Sequence, residues 1–424
     1  MEFKQYPSYK NTCVEWLGDV PEHWESNRLK KYLIERNEKN SPIKTDNLLS
    51  VTMYQGVIPV SEKQGNGGNK PKENLENYKI SYPNDIVLNS MNVIVGSVGL
   101  NKYTGLISPA YYALYNRNKN NNIKFFSYIF HNPFFQKGLF GLGNGIMYKE
   151  SEDGKLNTIR LKIPMEKLNQ VVLPCPSISE QNQIVSFLDT ETDRIDNLIS
   201  KQEKLIELLE RQRMSIISHA VTKGLDSNAL MKDSGVEWLG EVPEHWKIGR
   251  LKNLLSIHNG SDYKEFEVEN SEKSYPVYGS GGVFTYSSKY IYDQESVLLG
   301  RKGTINKPLY VTSPFWAVDT MFYSQVKRGV YGKYVYYQAL GFPYDRYSSN
   351  TALPSMTQTD LLNLSVTIPS ISEQIEITQF LDNENAKFDN LIYKQKNLIE
   401  KLKEYRSSII SHAVTGKIDV REFC

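Results

Sequence analysis

Few stretches of this 424-residue chain carry residue types at spacings that could do covalent chemistry. Asn132-Pro133-Phe134-Phe135 comes near the Asn-Pro-Pro-aromatic signature of adenine-amino methyltransferases. It lacks the second proline, and no glycine-rich methyl-donor loop accompanies it, so a turn opening a helix accounts for it. Gly300-Arg301-Lys302-Gly303-Thr304 is glycine-rich and basic, yet it lacks the G-x-x-x-x-G-K-[ST] spacing that cradles nucleotide phosphates. A hairpin turn, or a loop grazing nucleic-acid phosphates, fits it better. Four histidines fall in two pairs, His23/His245 and His219/His412, each inside a stretch that occurs twice. They stand beside Trp24/Trp246 or near the end of a helical pattern, places that assign them packing or capping. Cys13, Cys175 and Cys424 show no C-x-x-C spacing, so neither a disulfide framework nor a zinc ribbon is expected. No paired carboxylates and no Ser/His/Asp arrangement stand out. The chain is read as non-catalytic, with no metal site and no cofactor of its own.

The stronger signal is repetition, which must be read before any fold is assigned. VEWLGDVPEHW at 14–24 returns as VEWLGEVPEHW at 236–246, a spacing of 222 residues, whereas PSISEQ and SIISHAVT return at a spacing of 193. Two spacings exclude one uniform period; two halves with matching ends and different middles satisfy both. The ends agree at 13 of 17 positions over 14–30 and at 30 of 47 over 176–222, and the middles show no comparable likeness. One scaffold carrying two different binding modules is the economical reading.

The second repeated block has the pattern of a long helix. Ser177/Glu180 and Ser370/Glu373 have the S-x-x-E spacing of a capping box, after Pro176 and Pro369. A heptad follows, through Ile184, Leu188, Ile195, Leu198, Gln202, Leu205 and Leu209, and through Ile377, Leu381, Phe388, Leu391, Gln395, Leu398 and Leu402. This seam runs without glycine or proline and predicts helix-on-helix packing. A polar residue at one seam position, here Gln202 and Gln395, costs stability but fixes register. The seam spans a rod of roughly 50 Å at 1.5 Å per residue. The N-terminus resembles the end of the segment linking the halves and the C-terminus resembles its beginning, so the termini are expected to lie close together.

Between the repeated ends the pattern changes to short strands broken by glycine, as over 82–115 and 292–323, with a helical stretch near Phe125–Leu139 or Gly332–Gly341. Residues 30–172 carry eight more basic than acidic residues, whereas the helical blocks are slightly acidic, an imbalance that suits a polyanionic partner. Loops rich in Asn, Gln, Ser, Lys and Arg can bond base edges and phosphates. Candidate DNA contacts in the first module are Gln64, Asn66, Lys70, Lys72, Asn89, Asn92, Lys102 and Lys149. In the second module they are Tyr278, Ser280, Arg301, Lys302, Lys307, Ser349 and Thr351. No apolar run spans a bilayer and no signal peptide opens the chain, so a cytoplasmic location is expected.

The paired WLG/PEHW and PSISEQ…FLD motifs resemble those of the specificity subunits of type I restriction–modification enzymes, and the resemblance covers essentially the whole chain. It implies an α+β fold, with two mixed α/β target-recognition domains joined by two long antiparallel coiled-coil helices in a pseudo-two-fold tandem repeat. The expected domains are target-recognition domain 1 at 1–175, a spacer helix at 176–222, a linker with target-recognition domain 2 at 223–368, and a second spacer helix with the C-terminal tail at 369–424. It further implies that each domain reads one half of a split, asymmetric double-stranded DNA site. Two modification (methyltransferase) subunits and the restriction subunits would be partners, holding S-adenosylmethionine, ATP and Mg that this chain does not bind. The competing readings are a self-contained DNA methyltransferase or nuclease, and a coiled-coil adaptor unrelated to DNA.

Overall fold

In the computed structural model each repeated end folds into the same small frame. The structure describes residues 3–52, 55–63, 74–146, 149–150, 156–157, 160–347 and 354–423. Two compact units divide the chain: residues 1–201 with 398–424, and residues 202–397. Each unit takes in part of both long helices.

In the first unit Tyr9–Asn11 pairs antiparallel with Asp19–Pro21, and in the second Met231–Asp233 pairs with Glu241–Pro243 in the same register. The WLG turn closes both hairpins: Gly18 and Gly240 have positive φ of 63° and 60°, and each N–H donates four residues back, to Val14 O and Val236 O. A residue with a Cβ would be strained there, which is why the motif ends in glycine. The following tryptophans, Trp24 and Trp246, are among the largest fully buried side chains.

Each middle leaves and returns on one ladder. Glu25–Arg28 pairs with Val172–Cys175, and Lys247–Arg250 with Ser365–Ile368. Inside that closed mouth both units build a four-stranded antiparallel sheet with the same strand order. In the first it runs Leu33–Arg36, Tyr111–Asn116, Ile86–Asn89, Val98–Leu100; in the second Leu255–Asn259, Met321–Val326, Ser296–Gly300, Leu309–Val311. Two middles without comparable sequence thus share a core topology, because its central strands need only short runs of buried residues, as at Ile86–Leu88 and Ser296–Gly300, which many sequences supply. The helical stretches arrive as expected, at Ile123–Phe130 and Pro133–Gly138 in the first unit and Gly332–Leu340 in the second. Asn132 separates the first two as an N-cap, its Oδ1 accepting the Phe134 N–H at 2.8 Å, which disposes of the methyltransferase-like Asn-Pro-Phe-Phe as a helix start.

The units differ in what is added to that sheet. The first adds the hairpin Leu49–Thr52/Gly56–Pro59 and the pair Lys79–Ser81/Gly105–Ile107. The second adds a separate sheet of Glu267–Val268, Gly282–Ser287, Tyr275–Gly279 and Trp316–Ala317, the last pair parallel.

The long helices span Ile178–Lys223 and Ile371–Val414, 46 and 44 residues. Ile184, Leu188 and Ile195 share one buried cluster with Ile409, Ile410 and Ala413 in the first unit, and Ile217 and Val221 share another with Ile377 and Leu381 in the second. The seam departs from the strict heptad. Leu205, Leu391 and Leu398 are 39%, 42% and 40% exposed, whereas Ile392 and Ile399 are buried. Adjacent Leu-Ile pairs at 391–392 and 398–399 let either residue complete the heptad, and a helix with 3.6 residues per turn brings the isoleucine inward. Leu198 and Leu209 are half-buried, as are Gln395 and Leu402, while Phe388 is buried. Gln202 is half-buried, with its Oε1 shielded and without a hydrogen-bond partner among the described residues.

The termini lie together in the first unit as the repeat predicts. Lys4 bridges to Asp419 in β fashion, Lys4 Nζ sits 2.7 Å from a Glu422 carboxylate oxygen, and the Phe3 and Phe423 rings pack at 5.5 Å.

Candidate nucleic-acid interface

What positions each module is a lock between the two repeated motifs. In the first unit the Glu180 carboxylate accepts from Tyr6 Oη at 2.7 Å, Trp24 Nε1 at 3.0 Å and His23 Nε2 at 2.9 Å. In the second, Glu373 accepts from Trp246 Nε1 at 2.9 Å, His245 at 2.7 Å and the Ser370 N–H at 3.0 Å. Gly416, just past the end of the second long helix, stands where a Cβ would run into Pro21 and Trp24; a Cβ on Gly224, just past the first, would lie 3.2 Å from Trp246. Each tryptophan is therefore held between the start of one long helix and the end of the other, within its own unit.

This revises the reading of the S-x-x-E motif. Ser370 and Glu373 form the reciprocal capping box, but Glu180 spends its carboxylate on Tyr6, His23 and Trp24. Burial pushes the Glu373 carboxyl up, but hydrogen bonds from His245, Trp246 and Ser370 outweigh it and hold the group at about 2. His23 and His245 serve the lock; His219 and His412 are exposed and so do not pack, and His412 stands in the last turn of its helix.

On this frame the sheet presents a loop at one end of its second and third strands, at 90–97 in the first unit and 301–308 in the second. Asn89 and Asn92 fall at the first: Asn89 Oδ1 accepts the Met91 N–H at 3.1 Å, and Met91, Asn92 and Val95 are exposed. Arg301, Lys302 and Lys307 fall at the second. Residues chosen from unlike sequences thus occupy topologically equivalent loops. Arg301 Nη1 donates to Asp319 O at 3.2 Å, and its guanidinium faces the Phe322 ring at 5.9 Å. Beside it, Val318 N–H donates to Tyr278 O at 3.1 Å, which brings Tyr278 and the adjoining Ser280 to the same edge. Burial raises the Tyr278 hydroxyl's pKa, so the group stays a neutral donor and acceptor.

Other candidates are not gathered there. Lys102 is exposed at the opposite end of the sheet, next to Asn101, whose backbone N–H donates to Asp85 O. Lys149 lies in the short strand Lys149–Glu150, paired with Leu156–Asn157. Gln64, Asn66, Lys70, Lys72, Ser349 and Thr351 lie outside the described residues. Among the described residues no group of three His, Cys, Asp or Glu is placed to hold a metal, and no helix is long and apolar enough to cross a membrane. The lock itself was missed at sequence level. Its signal was the paired recurrence of PEHW and S-x-x-E, which only a contact could join.

A duplicated frame thus carries two unlike loop sets on one sheet topology. Residues 243–403 match the family described as type I restriction modification DNA specificity domain. The chain is 22% identical over 448 residues to the putative type I restriction enzyme MjaX specificity subunit of Methanocaldococcus jannaschii, covering 99% of each chain. It is 24% identical over 278 residues to the MjaVIII specificity subunit of the same organism, across 59% of this chain and 63% of that one. A solved chain from a type I R-M system, described in connection with complex assembly and conformational transition, shares the fold with a TM-score of 0.68 at 12% identity, covering 93% of this chain and 98% of its own. The chain is similar along its whole length to the specificity subunits of type I restriction–modification enzymes.

Proposed function

We propose that this chain is the DNA sequence-recognition subunit of a type I restriction–modification complex and carries no catalysis itself. Each module reads one half of a bipartite, asymmetric site. The long helices pair antiparallel about a pseudo-two-fold axis, set the spacer between half-sites and dock two modification subunits. S-adenosylmethionine, ATP and Mg act on the modification and restriction subunits, and the complex works in the cytoplasm.

The observation that carries this reading is the pairing of sameness with difference. One lock and one sheet order occur twice, while the loops at the sheet end and the added strands differ. A symmetric reader favours a palindrome; two unlike loop sets favour an asymmetric site. Helices of 46 and 44 residues are rods of about 66–69 Å, long enough to hold half-sites about one DNA turn, ~34 Å, apart. The test is to map methylated adenines in cells expressing the chain with its modification subunit. A split motif with unlike halves and a fixed gap is expected; a palindrome refutes the asymmetric reading. Methyl transfer by the purified chain alone would make it an enzyme in its own right, and a chain that co-purifies with no modification subunit would be an adaptor of another kind.

A further inference from the structure

A basic ledge recurs in both modules, away from the loops at 90–97 and 301–308. In the first unit it is made by Arg28 at the end of the Glu25–Arg28 strand, Lys30 and Lys31 in the short helix Leu29–Tyr32, and Arg117 just past the Tyr111–Asn116 strand. They line an open cleft of about 580 Å³. Arg117 is fixed at two points: its backbone N–H donates to Tyr32 O at 2.8 Å and its Nε to Lys30 O at 3.0 Å.

The second unit repeats this geometry: Arg250 and Lys252 are the counterparts of Arg28 and Lys30 in the repeated block, and Lys327, from the unlike middle, takes the place of Arg117. The Lys327 N–H donates to Leu254 O at 2.9 Å and its Nζ to Lys252 O at 2.6 Å, with Arg250 and Arg328 alongside in the chain. Arg250 donates to Asn363 O at 2.7 Å and Ser365 Oγ at 3.0 Å. All eight cations are exposed. Among the described residues only Lys31 has a carboxylate in reach, Glu25 at 3.5 Å. Exposed cations elsewhere divide: Lys4 pairs with Glu422 and Lys44 with Glu38, whereas Lys10, Lys102 and Lys201 have no ion pair among the described residues, so what marks the ledge is its recurrence at one place on the frame.

Gathering like charges costs repulsion that packing does not offset, since none of these groups is buried. Arg117 and Lys327 lie in middles that share topology without comparable sequence, yet each sends a cation to the same backbone carbonyl. The recurring quantity is positive charge at a fixed place on the frame.

We propose that the ledge binds the sugar-phosphate backbone of DNA, in both modules alike and without regard to base sequence. The inference rests on the DNA-recognition reading and adds to it a second contact surface. Lys and Arg on phosphates set register and affinity while base edges are read elsewhere. The sheet strands separating ledge from loop are four to six residues, about 13–20 Å at 3.3 Å per residue, so one DNA segment can reach both.

The test uses the full chain with its modification subunit, bound to a random-sequence duplex over a salt series. Two triple variants are compared with the parent: Lys30→Gln/Lys31→Gln/Arg117→Gln, and Lys252→Gln/Lys327→Gln/Arg328→Gln. The slope of log K against log salt should fall by about 0.9 for each phosphate no longer neutralised, and binding near 0.15 M salt should weaken about 5-fold for each. The set of methylated bases should stay unchanged, and Arg117→Lys, the residue type found at Lys327, should keep the parental slope. An unaltered slope in both triples overturns the proposal, as does a changed base preference, which would make the ledge a reading surface. Loss of the modification subunit with the DNA slope intact would make it a protein-docking surface. If the parent complex binds no DNA, the recognition reading itself fails, an outcome separate from failure of the ledge alone.

Discussion

Replacing Glu180 tests whether the lock holds the first module on its helix. Glu180 is buried and accepts from two buried donors, Trp24 Nε1 and Tyr6 Oη, and from His23, whose side chain is 49% exposed. Glu180→Ala orphans both buried donors, each at about 1–3 kcal/mol, whereas His23 can turn to water. The expected loss is therefore about 2–6 kcal/mol. Glu180→Gln keeps an oxygen for Trp24 and Tyr6 and gives up only the charge assistance, about 1–2 kcal/mol. In the second unit Trp246 is the one deeply buried donor to Glu373, so Glu373→Ala should cost less, about 1–3 kcal/mol. Hydrogen exchange read by mass spectrometry resolves the two units, which a single melting curve does not. Protection should fall most around residues 17–29 and 180–188 in Glu180→Ala. A loss below about 0.5 kcal/mol, or a larger effect from Glu373→Ala, would refute the idea that Trp24 and Tyr6 depend on this one carboxylate.

Further outcomes follow from the same geometry. The Glu373 carboxyl lies at about 2 when folded against an ordinary 4.5, so its contribution, up to roughly 3 kcal/mol, is complete above pH 4.5 and is lost as pH falls toward 2. Urea midpoints of the second unit between pH 5 and 2.5 should show this acid limb, and Glu373→Gln should flatten it. Arg301→Ala should weaken or relax one half-site only in a methylome map; an equal effect on both halves contradicts modular reading. Deleting one heptad from each long helix, 198–204 and 391–397, removes about 10 Å of rise and should shorten the spacer by about 3 base pairs with both half-sites intact. An unchanged gap would discard the ruler. Phe423→Ala uncovers Phe187, which packs against Phe3 at 5.8 Å and Phe423 at 5.9 Å, and should lower first-unit stability by about 1–2 kcal/mol in a urea titration.

The long helices and the duplicated ends were legible because their signals are local. A seam repeating every seven residues, a capping serine, and a WLG turn ending in a glycine of positive φ all act within a few residues of where they are written. The common sheet of the two middles was not legible. Its strands are three to six residues long and are held by partners far along the chain, as where Leu33–Arg36 pairs with Ala113–Asn116. The choice between Leu391 and Ile392, or Leu398 and Ile399, was likewise undecidable from spacing, since one position of rotation separates them.

The amino-acid order alone therefore determined that there is one frame used twice, with two long helices and two unlike middles, because each of those facts is a repetition or a local period. Only the tertiary structure decided that Glu180 and Glu373 hold the tryptophans, that Asn92 and Arg301 stand in equivalent loops, and that Arg117 and Lys327 complete the same ledge. Those are meetings of residues tens to hundreds of positions apart. What brings them together is the burial of tryptophans and sheet faces that no short window of sequence contains.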